Sequence, residues 1–298
     1  MRRFLLPLLV LVALTSAAPA LAAHAFVLIV TNNRSLELGR PELQYADDDA
    51  AKYYELFRTV APGGQLQLLT ELDGDTERLF PGLKDVATAP TKRAVAAAVS
   101  RIASDVEKAR RDGQEAEFYF IYAGHGDIDG GRGFLELKDA RFYSDDLEAL
   151  LKKIRATHSH VIVDSCNSFF VINARKPGGR RFATPKDAAQ SLSKRLPNVG
   201  VFLSTSAEAD VFEWSELQSG IFSHAVRSGL SGAADADGDG SVSYAELRAF
   251  VDIAASGVKN PSYRPKVFAR GPGGDDRLAL LPGRFGRTAQ LQVDAERH

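Results

Sequence analysis

The sequence is poor in several residue types. In 298 residues it has one cysteine, one methionine and one tryptophan. A single cysteine excludes an intramolecular disulfide framework and leaves that thiol as either a buried apolar filler or a reactive group. A surplus of either charge is also missing. With 37 Lys and Arg against 38 Asp and Glu, the net charge is −1. No basic excess is left to neutralise phosphates or to hold the chain on anionic lipid, so nucleic acid is not an expected partner. After the first two dozen residues nothing reads as a stop-transfer segment.

What is present is an ordinary globular composition, 45% hydrophobic and 25% charged, sufficient for one sizeable domain with or without an appendage. The opening MRRFLLPLLVLVALTSAAPALAA pairs two arginines with a short, Pro-interrupted apolar run and the small-x-small Ala20-Leu21-Ala22. It reads as a signal peptide over 1–22, which predicts a secreted or periplasmic protein with no membrane attachment once the signal is removed.

The chain then alternates. Short β-branched and aromatic runs at 25–30, 66–72, 118–122, 161–163 and 198–204 are separated by segments with apolar residues at helical spacing, such as Val95, Val99, Ile102 and Val106. Continuous apolar strands between amphipathic helices predict an α/β fold with a parallel sheet covered on both faces. Functional sites in such sheets form beyond the carboxyl ends of the strands.

Two of those ends carry chemistry. FYFIYAGHGD puts His125 between two glycines, and HVIVDSCNS puts the only cysteine, Cys166, three residues past Val163. The interval suits one helical crossover, so both side chains are expected at one edge of the sheet. An imidazole can take a proton from a thiol and later deliver it to a leaving amine, which makes a peptide bond the natural substrate. The N–H groups of Gly126 and Cys166 are the candidate oxyanion donors. A carboxylate at Asp164, two residues before the thiol, favours a cationic substrate side chain. The acidic triplet Asp47-Asp48-Asp49 at the start of ADDDAAKYYELF offers a second acid, and Glu213 and Trp214 are candidate substrate walls.

The strand followed by GHG, the later strand followed by DSC, FVLIVTNN, YADDDAAKYYELF and VFLSTSAEADVFEWSELQSGIFSHAV fall in an order that resembles the caspase-like cysteine peptidases, particularly metacaspases and their bacterial relatives. The resemblance spans about 25–255. It implies a caspase-like αβα sandwich with a mostly parallel central sheet, a His125/Cys166 dyad without an obligatory third member, and cleavage after Lys or Arg. It also implies acids at Asp164 and Asp49 in the pocket for the residue before the cut. One feature departs from the family pattern: Asn167-Ser168 leads into Phe169-Phe170 where a small polar turn ending in glycine is usual.

A second motif, DADGDGSVSYAE over 235–246, has the spacing of an EF-hand loop. Asp235, Asp237 and Asp239 supply oxygens, Gly240 the sharp turn, Ser241 its carbonyl, Ser243 a contact through water, and Glu246 a bidentate carboxylate. Calcium is the expected cofactor, and no organic cofactor is indicated. The remaining histidines lack zinc-ligand spacing. NARKPGGRRFATPKD, 173–187, reads as an exposed basic loop open to self-cleavage. The organisation expected is a signal peptide at 1–22, a peptidase domain at 23–257 containing the calcium loop, and an extension at 258–298. The leading function is a secreted cysteine endopeptidase. The alternatives are a catalytically weak pseudo-peptidase and a calcium-dependent peptide-binding module.

Overall fold

A computed structural model describes residues 24–281 apart from 60, 62–64, 131, 173–193 and 205–212. The segment 1–22 expected to be a signal peptide, the basic loop at 173–187 and residues 282–298 of the expected extension lie outside the described residues. From residue 24 the chain runs β1 (His24–Asn32), α1 (Ala46–Arg58), β2 (Leu66–Leu69), α2 (Gly74–Leu79), β3 (Ala87–Thr88), α3 (Lys92–Arg111) and β4 (Ala116–Gly124). It continues through β5 (Gly126–Asp129), β6 (Arg132–Glu136), β7 (Arg141–Tyr143), α4 (Ser144–Ile154), β8 (His158–Asp164), α5 (Phe169–Ile172) and β9 (Val199–Ser204). Then come β10 (Glu213–Trp214), β11 (Ser219–Gly220), α6 (Ile221–Ser228), β12 (Val242–Ser243), α7 (Tyr244–Ser256), β13 (Val267–Arg270) and β14 (Ala279–Leu281).

Seven strands form the central sheet in the order β13-β9-β8-β4-β1-β2-β3, and only β13 runs antiparallel. The period of two in β1 explains why one strand serves two cores. Phe26, Leu28 and Val30 face a layer built with α3 and α4, whereas Val27 and Ile29 face one built with α1, α6 and α7. Helix α3 follows from its sequence: Val95, Ala98, Val99, Ile102, Val106 and Ala109 make one buried stripe, and the Thr91 hydroxyl caps its start by accepting from Ala94 N at 3.1 Å. Each large side chain buried in this way contributes about 1.5–3 kcal/mol. Among the described residues no helix is long and apolar enough to cross a membrane.

Two features differ from the sequence reading. Between the histidine and cysteine strands there is more than a helical crossover, because β5, β6 and β7 form a separate three-stranded antiparallel sheet before α4. The chain beyond 257 also does more than trail from the domain. β13 completes the central sheet against β9, and β14 pairs with β12 inside the acidic-loop motif at 235–246.

Candidate active site

β1 and β4 are neighbours in the sheet, and the chain moves from β1 to β2 on one side and from β4 to β8 on the other, so the carboxyl ends of β1 and β4 border the crevice where this fold class places ligands. β4 and β8 are parallel neighbours whose register ends at Ala123↔Asp164. Two residues further on, at equivalent positions, stand His125 and Cys166. A Cβ built on Gly126 would lie 2.8 Å from Ser165 Oγ and 3.0 Å from the Cys166 carbonyl oxygen. Only glycine lets the histidine motif approach the cysteine motif this closely.

Gly126 starts β5 opposite Leu135, while Glu136 N donates to the His125 carbonyl at 3.0 Å. In an antiparallel ladder hydrogen-bonded pairs alternate with open ones, so the Gly126 N–H points away from β6. The Tyr122 hydroxyl fixes the histidine backbone, donating to the His125 carbonyl at 2.7 Å and accepting from Glu136 N at 3.1 Å. Burial, then the nearby Arg40 guanidinium, hold the His125 imidazole below the usual histidine value. The ring is therefore neutral at neutral pH, the form that accepts a proton. Its Nε2 is buried with no hydrogen-bond partner among the described residues. Cys166 is 1% exposed.

The turn after Cys166 keeps a glycine-like conformation without glycine. Asn167 sits at φ 54°, in the left-handed region that asparagine tolerates best among residues with a side chain. Its Nδ2 donates to Asp127 Oδ1 at 3.1 Å, and Ser168 Oγ donates to the Ser204 carbonyl at the end of β9. Phe169 and Phe170, which stand where the family pattern ends its turn in glycine, begin the short helix α5.

Asp164 and Asp49 are brought together, both buried, next to Gly220. Asp164 Oδ2 accepts from Ser223 Oγ at 2.7 Å and Ser223 N at 3.1 Å. Burial, followed by the charge of Asp49, raises its carboxyl to about 7. Asp49 accepts from Gly220 N at 2.9 Å, from the Ser219 hydroxyl and from Arg227 Nη2 at 3.0 Å. Glu213 lies near enough to Asp164 for its charge to act on that carboxyl. Its carboxylate accepts from Tyr45 N at 2.7 Å and Gln44 N at 2.9 Å, fastening the start of α1. Trp214, 41% exposed, remains available as a wall.

Sequence reasoning missed Arg40, Tyr122, Glu136, Ser219, Ser223 and Arg227. Glu136 is fully buried, accepts from Leu36 N at 3.0 Å and faces Arg40 Nη1 at 3.7 Å, so it holds the loop between β1 and α1 against the histidine. One signal was visible: a lone acid closing the apolar run Phe134-Leu135.

Side-chain oxygens of Asp235, Asp237 and Asp239 lie within 4.8 Å of one another. Gly240, at φ 83°, makes the sharp turn the motif needs. Glu246 closes the loop, its Oε1 accepting from Ala236 N at 3.0 Å and its Oε2 from Ser243 N at 2.9 Å. Burial would raise this carboxyl, but the hydrogen bonds from Ser243 and Ala236 outweigh it and hold the group below the usual range. These donors suit a hard oxygen-seeking cation.

The sheet order, the helices on both faces and the placement of the site define a caspase-like αβα sandwich. The similarity is to the crystal structure of caspase-1 from Spodoptera frugiperda, with a TM-score of 0.50 and 13% sequence identity, covering 84% of this chain and 87% of that one. No family model matches the sequence, and no curated protein matches it.

Proposed function

We propose that this chain is a cysteine endopeptidase of the caspase-like fold, secreted or periplasmic after loss of 1–22. The Cys166 thiol attacks the substrate carbonyl carbon while His125 takes its proton. The C–N bond then breaks as the imidazolium protonates the departing amine. Water, deprotonated by His125, attacks the resulting thioester, releases the new carboxyl group and returns the thiol. The Gly126 and Cys166 N–H groups stabilise the tetrahedral oxyanion. Asp164 and Asp49 select Lys or Arg before the cut, and calcium is held by Asp235, Asp237, Asp239, Ser241, Ser243 and Glu246. Self-cleavage belongs to the same proposal, at Arg175, Lys176, Arg180, Arg181 or Lys186 in the basic loop.

The observation that carries this reading is the closeness of the two motifs, with Gly126 seated on Ser165 and Cys166 at the ends of adjacent strands. One observation favours a peptide-binding protein without turnover, namely the burial of Cys166. A thiol-reactive probe with an arginine recognition group separates the two. Labelling at Cys166, with hydrolysis reduced at least about a thousandfold in both Cys166→Ala and His125→Ala, is expected of the enzyme. Binding of basic peptides with no labelling and no hydrolysis would overturn it.

A further inference from the structure

The Asp49 carboxylate already holds a cation. Arg227, one turn after Ser223 on α6, donates through Nη2 to Asp49 Oδ1 at 3.0 Å and to Ser219 Oγ at 2.7 Å. Its Nε donates to the Ser223 carbonyl at 3.2 Å, and the guanidinium carbon lies 5.5 Å from the centroid of the buried Tyr53 ring. Only 11% of the Arg227 side chain and 3% of that of Asp49 are exposed, so water screens this pair little. Gly220 N and the Ser219 hydroxyl also donate to Asp49. A second guanidinium has no place to make a two-pronged contact unless the first one leaves.

We propose that Arg227 is the specificity-determining residue of this pocket: an internal arginine seated on Asp49 where a substrate guanidinium would sit, so that a basic side chain reaches Asp49 only by displacing it. This rests on the pocket assignment made under the proposed function. Gly220 keeps the two acids close together, since a Cβ there would lie 2.7 Å from Asp164 Oδ2 and 3.3 Å from Asp49 Oδ2. A ligand cation therefore shares Asp164 with the Ser223 donors and reaches Asp49 only in competition with Arg227. Selectivity for arginine over a neutral side chain is set by that competition as well as by the number of acids.

A purely structural counter-ion and a displaceable occupant differ in what removal does. The experiment is calorimetric titration of arginine amide into the Cys166→Ala protein, with Arg227 intact and with Arg227→Gln. The occupant predicts about tenfold tighter binding in Arg227→Gln, a gain erased when Asp49→Asn is added, and no gain for norleucine amide. Equal or weaker arginine amide binding by a folded Arg227→Gln protein overturns the proposal. Should that variant not fold, the side-chain Nε–H resonance of Arg227 is followed in the Cys166→Ala protein. It shifts on saturation with arginine amide if the residue is displaced, and an unmoved resonance overturns the proposal. If the parent cleaves no peptide while arginine amide binding responds to Arg227, the peptidase reading fails and the pocket inference stands. Cleavage with binding indifferent to Arg227 gives the reverse.

Discussion

Asp164 is ionisable at a depth where ionisation is costly, and its two donors from Ser223 do not cancel the burial. Its folded carboxyl titrates at about 7, whereas an unfolded aspartate titrates at about 3.9. A raised carboxyl contributes stability fully present below the unfolded value and lost as pH rises through the folded one. Asp164→Asn should therefore become more stable relative to the parent as pH rises from about 5 to about 8.5, read as the difference in melting temperature. A difference flat across that window would show that Asp164 does not titrate as described. The same residue marks what could be read from sequence. His125, Cys166, Asp164 and Asp49 announce themselves by residue type at strand and helix ends, while Arg227 and Ser223 gain meaning only when α6 folds against α1 and β8. The departure, Phe169-Phe170 in place of a glycine-ended turn, is taken up as the start of the short helix α5, after the left-handed Asn167.

Elements with a strong period were legible and those without one were not. The buried stripe of α3 and the apolar runs of β1, β4, β8 and β9 follow directly from spacing. The hairpin sheet β5–β7 did not, because its strands are three to five residues long and interrupted by charge. Nor could the antiparallel direction of β13 be read, since direction is fixed by the partner edge. The hairpin sheet matters for the site because Gly133 in β6 packs against the backbone of Phe170 and Val171 just after the cysteine turn. Gly133→Ala would drive a methyl group into that backbone and is expected to destabilise by about 1–3 kcal/mol in urea unfolding. Gly82→Ala, where a Cβ meets nothing within 4 Å, should stay within about 0.5 kcal/mol. Equal costs at the two positions would show that the β6 contact is slack.

Over the whole molecule the two motifs recognised in the sequence share one helix. α6 carries the Asp164 and Asp49 partners Ser223 and Arg227, and the chain then passes through Gly229–Ala233 into the acidic loop. A cation that binds only the folded loop stabilises the entire domain by mass action. Added calcium should raise the melting temperature of the parent and leave Glu246→Gln unmoved, and equal shifts in both would place the ion elsewhere. The late strand β13 has a different kind of consequence. It covers the outer edge of β9, whose backbone would otherwise offer an open row of donors and acceptors to any passing strand. Until residues 267–270 pair with β9, the folding domain has a sticky border beside its candidate nucleophile strand, and self-association competes with folding for as long as that border is bare.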